Sequence, residues 1–110
     1  MRQAYAHGAT LEAVADEGAP GAAITTALCG HWEHEPPCPL APHHTGVVRD
    51  GDTVRLRILF ATEPDRVDEV RRRIDEALAG GDWRLIESGC ARVGASERDH
   101  ARRLLKSRLA

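Results

Sequence analysis

Four prolines fall between residues 36 and 42, and no other feature constrains the chain as tightly. Pro36, Pro37, Pro39 and Pro42 each fix φ and remove a backbone donor. Neither a helix nor an inner strand tolerates that density. Residues 34–46 are therefore expected to be irregular, and a long irregular loop in a compact domain is usually functional or disordered. Extended back to Cys29, the same stretch gathers most of the ligating chemistry. Cys29, His31, His34, Cys38, His43 and His44 are six of the nine Cys and His residues in the chain.

Thiolate and imidazole are the ligands zinc prefers. The spacing C-x-H-x2-H-x3-C-x4-H-H gives loop sizes that a tetrahedral site uses. The expected function is a small metal-binding domain with a structural zinc. The favoured ligands are Cys29, His31, Cys38 and one of His43 or His44, with His34 as the alternate. The same donors suit copper or nickel. A Cys29–Cys38 disulfide is the competing reading of the two thiols. A second function class is a metal-free protein-interaction module. A third is a metal-dependent hydrolytic enzyme, with Glu33 or Glu35 as general base.

At 110 residues the chain suits one domain, and aromatics make up only 4% of it. A small aliphatic core is marginal by itself, so a structural metal would help it. Residues 1–50 hold six acids and two arginines, a balance of −4; residues 51–110 hold eleven acids and thirteen bases, a balance of +2. Neither half argues for nucleic acid. No apolar run approaches the ~20 residues of a membrane span, and no signal-peptide pattern opens the chain. A cytoplasmic location follows as the expectation.

Residues 1–22, rich in Ala and Gly, predict a flexible leader in which His7 is solvated. Residues 23–33 predict a strand from the β-branched Ile24, Thr25 and Thr26, with Cys29 and His31 on one face. Asp50-Gly51 is a turn signal. Val54, Leu56, Ile58 and Phe60 alternate with Arg55 and Arg57, which marks a strand with its arginines in solvent. Val67, Val70, Ile74, Ala77 and Leu78 follow at helical spacing, ended by Gly80-Gly81. Trp83 to about Val93 reads as a strand, with Cys90 near its end as a small buried residue that needs no function, and a spare ligand only in a fold that brings it to the loop. Ala101, Leu104, Leu105 and Leu109 stripe a last helix.

The order β-β-α-β-α implies an α+β domain over residues 23–110. Its expected core is a small mixed or antiparallel three-stranded sheet with two helices, a split β-α-β half. The first strand would lie between the other two, antiparallel to both. The uncovered sheet face would suit a homodimer. The run CGHWEHEPPCPLAPHHT, followed by a strand and the RRRIDEAL helix, resembles a group of small bacterial proteins of uncharacterised role. The resemblance spans residues 24 to about 90 and implies no activity and no site residues.

Overall fold

The structure, a computed structural model, describes residues 2–29 and 41–106, with Cys29 described by its backbone. The described elements are β1 (Gln3–Glu12), α1 (Ala19–Cys29), β2 (His43–Asp50), β3 (Thr53–Thr62), α2 (Val67–Ala79), β4 (Arg84–Ala91) and α3 (Arg98–Lys106). Short 3-10 turns at Pro64–Arg66 and Ala95–Glu97 lead into α2 and α3. The strands form one sheet in the order β2-β3-β1-β4, antiparallel at every junction. This is the split β-α-β pattern in full, four strands and three helices where the sequence predicts three and two.

The second half follows the local signals. Alternation in β3 sends Val54, Leu56, Ile58 and Phe60 into the core, all at most 3% exposed. Gly51 takes φ +63°, as the first central residue of a type II′ hairpin turn does, and joins β2 to β3. Val70, Ile74 and Leu78 are the buried stripe of α2. Ala101 and Leu104 are the buried residues of α3.

The first half differs from expectation in three ways. Residues 3–12 are not a leader but β1, a central strand paired on both sides. Residues 19–29 are a helix and not the start of a strand. Residues 43–50 form an edge strand beyond the prolines. The helix wins because Pro20, Ile24 and Leu28, all fully buried, recur every four residues. One helical face therefore buries all three, which outweighs the weak β preference of Ile24–Thr26. Pro20 suits a first turn, and Asp16 receives the Gly18 and Ala19 amides just before it. Thr26 returns its hydroxyl to the Ala22 carbonyl, a bond available only in a helix. The expectation of a central strand antiparallel to both neighbours holds, but β1 fills that place.

Two cores result. On one face, α1 and α2 cover Ala9, Leu11, Val54, Leu56, Ile58 and Phe60. On the other, α3 covers Ala6, Leu59 and Ala61. The single helix leaves part of that second face open.

Candidate functional site

Cys29 is the last residue of α1, so the helix hands the chain directly to the Cys/His-rich segment. His31, His34, Cys38, Glu33 and Glu35 lie outside the described residues. The placement of Cys29 and His31 on one strand face does not apply, because Cys29 ends a helix. The segment returns at Ala41 and Pro42, both buried, and the Pro42 carbonyl accepts the Ala61 amide at 3.0 Å. His43 and His44 then open β2.

Neighbouring strand residues face opposite ways. His43 is on the helix face. Its Nδ1 is 3.1 Å from the Ala41 carbonyl, which can only accept, so Nδ1 carries the proton. Its Nε2 then accepts from the Thr25 hydroxyl of α1 at 3.0 Å. Both ring nitrogens are thus engaged. His44 is on the face that carries α3, with its ring 4.3 Å from that of His100 and tilted by 47°. Burial, and then His44 and Arg103, hold His100 below its ordinary 6.5, against the pull of Glu97. Both imidazoles line a hollow of about 210 Å³ with Gly46, Arg57, Leu59, Ser96 and Glu97. Among the described residues no group of three ligating side chains gathers. Cys90 is exposed on β4, the opposite edge of the sheet. Three strand spacings, ~14 Å in all, separate it from His43 and His44 on β2.

Arg57 is 42% exposed, but its guanidinium is not free in solvent. It clamps Glu97 through Nε and Nη2 at 2.8–3.1 Å and also donates to the Arg92 carbonyl. These hydrogen bonds, joined by the Gly94 amide, hold Glu97 below its ordinary 4.5 against burial. Beside this clamp the register lines up Gly46, Arg57, Gly8 and Gly89 across the whole sheet. The three glycines floor an open groove of about 700 Å³, bordered by Val48, Arg55, Thr10 and Glu87.

His7, expected in solvent, is 1% exposed inside a polar network. It meets Arg71 and Asp75 of α2 and Ser88 of β4. Arg71 can only donate, so His7 Nδ1 accepts and Nε2 carries the proton. The nitrogen facing Ser88 is therefore a donor. It cannot take the serine proton, and the trio is not a nucleophilic triad. Local reading misses His7 and His100 because each is isolated in sequence. The only available signal is the rarity of His outside residues 29–44.

No helix among the described residues is long and apolar enough to cross a membrane. Comparison with protein-family models, with curated proteins and with solved structures finds no match.

Proposed function

We propose that the protein is a small metal-binding domain whose ligands come from the segment between α1 and β2, with zinc as the bound metal. The observation that carries this reading is the way the Cys/His cluster is tethered. Cys29 terminates one helix, and the segment re-enters at the buried Ala41-Pro42 pair, hydrogen-bonded to β3. A ligand cluster with both ends tied down loses less entropy on closing around an ion. At the β2 end His44 is the better donor, since it stands beside a second imidazole, whereas both nitrogens of His43 are engaged. Cys29, His31, Cys38 and His44 make the preferred set, with His34 and His43 in reserve, and copper or nickel as the competing ions.

Protein purified without chelator is expected to carry about one equivalent of zinc by elemental analysis. Trace metal only, with the same melting temperature in chelator and in added zinc, rejects the reading. The open half of the sheet favours a second property, a homodimer formed across it, with the exposed Val48 beside the glycine floor. Sedimentation equilibrium of wild type against Val48→Glu tests that pairing. A monomer at all concentrations removes it.

A further inference from the structure

We infer that Arg71, His7, Ser88 and Asp75 form a proton-sensitive latch that ties the edge strand β4 to α2 and opens on acidification. The chain of hydrogen bonds runs one way. Arg71 Nη1 donates to the Ala6 carbonyl of β1 at 2.9 Å and to His7 Nδ1 at 3.0 Å. His7 Nε2–H donates to Ser88 Oγ at 2.7 Å, with Asp75 Oδ1 further off at 3.2 Å. The Ser88 hydroxyl gives its own proton to Asp75 Oδ1 at 2.5 Å. Each group donates to the next and the Asp75 carboxylate ends the chain as an acceptor, so the neutral imidazole with its proton on Nε2 completes it.

The latch matters because β4 is an edge strand with little apolar burial of its own. The strand pairs on one side only, with β1, and none of its side chains is fully buried. Elements with few buried apolar contacts open at the lowest free energy. Ser88 ties β4 to α2 through side-chain hydrogen bonds.

A second proton on His7 can go only to Nδ1. That places donor against donor and cation against cation at Arg71. The groups facing His7 are Arg71 and Asp75 from α2, Ser88 and the His7 register partner Cys90 from β4, and the apolar register partner Ile58 from β3. Asp75 opposes the effect, but its side chain is 50% exposed and its attraction is screened. Burial dominates that balance and holds His7 below its ordinary value, with Asp75 raising it and Arg71 adding to burial. Proton uptake is therefore coupled to breaking the latch.

Native-state amide hydrogen exchange tests this, with protection factors corrected for intrinsic rates between about pH 7.5 and 5, where imidazoles titrate. In the wild type, amides 88–91 are expected to lose protection on acidification while the β3 amides keep theirs. In His7→Gln, whose carboxamide offers one acceptor and one donor and does not titrate, that loss disappears. An equal loss in both proteins, or none in the wild type, overturns the latch. Should His7→Gln not fold, Ser88→Ala serves instead. It is expected to lower β4 protection already at neutral pH and to flatten the pH response, and an unaltered response overturns the proposal. Nitrogen-15 shifts give an independent reading: Nε2–H is the expected tautomer of His7, and Nδ1–H overturns it.

Discussion

His43 and His44 are adjacent in sequence and have different surroundings, because a strand sends neighbours to opposite faces. His43 bonds to Thr25 and to the Ala41 carbonyl, whereas His44 packs against His100. The two variants should therefore separate. His43→Ala is expected to lower stability by about 1 kcal/mol through its lost hydrogen bonds, with little change in metal affinity. His44→Ala is expected to weaken metal binding and to leave stability of the chelated protein nearly unchanged. Competition against a chromogenic chelator and urea titration measure both, and equal affinities for the two variants would contradict the assignment. Cys29→Ser should weaken binding more than His34→Ala, His43→Ala or His44→Ala, since thiolate is the strongest donor here and Ser does not ionise near neutrality. Wild-type affinity in Cys29→Ser removes Cys29 from the ligand set.

β3 carries the core on one face and a tether on the other. Ile58 is fully buried beneath α1 and α2, and Ile58→Ala is expected to cost about 2–4 kcal/mol. Arg57 holds Glu97 and the turn that starts α3. A charged hydrogen-bonded pair in full burial would contribute more, but Arg57 is 42% exposed and solvent screens it. Arg57→Ala is expected to cost about 1 kcal/mol. A double-mutant cycle with Glu97→Gln should show coupling; purely additive losses would mean the clamp contributes nothing. The glycines that share the face of Arg57 behave differently. A Cβ added at Gly89 meets nothing within 4 Å, and its φ is ordinary. Glycine in a strand costs about 0.5–1 kcal/mol relative to Ala. Gly89→Ala should therefore raise the urea midpoint, and a fall would show that the backbone at this edge needs glycine after all.

For the molecule as a whole, the pH response follows from groups whose native pKa is shifted. His7 and His100 both lie below 6.5 in the native state. On acidification through 6.5 the unfolded chain binds protons that the native state refuses, so stability falls with falling pH. The fall levels off once the native histidines are protonated too. Glu97, and Glu69 beside Arg66, are held below 4.5. Their contribution is complete above 4.5 and is lost as pH falls through their native values. Urea titrations in chelator should thus show maximal stability near neutrality and two acid-side declines. Stability that rises from pH 7 to pH 5.5 would show that the sign for the histidines is wrong.

Four elements were legible in the sequence by itself: β3, α2, β4 and α3, together with the Gly51 turn. β3, α2 and α3 each have a period that one covered face imposes locally, and Gly51 and Gly80 are turn and end residues that need no distant partner, whereas β4 is marked by its apolar Leu85-Ile86 pair alone. The Cys29–His44 concentration of ligands was equally plain, since it is a matter of composition. Only the tertiary structure decided the place of β1. Its Ala4, Ala6 and Gly8 carry little β preference, and the strand exists because β3 and β4 pair with both its edges. Those residues are small because α3 and the groove lie over them. The burial of His7, the engagement of His43 and the His44–His100 contact were decided in the same way. Each joins residues far apart in the chain, and a local period carries no record of which distant strand or helix will arrive beside it.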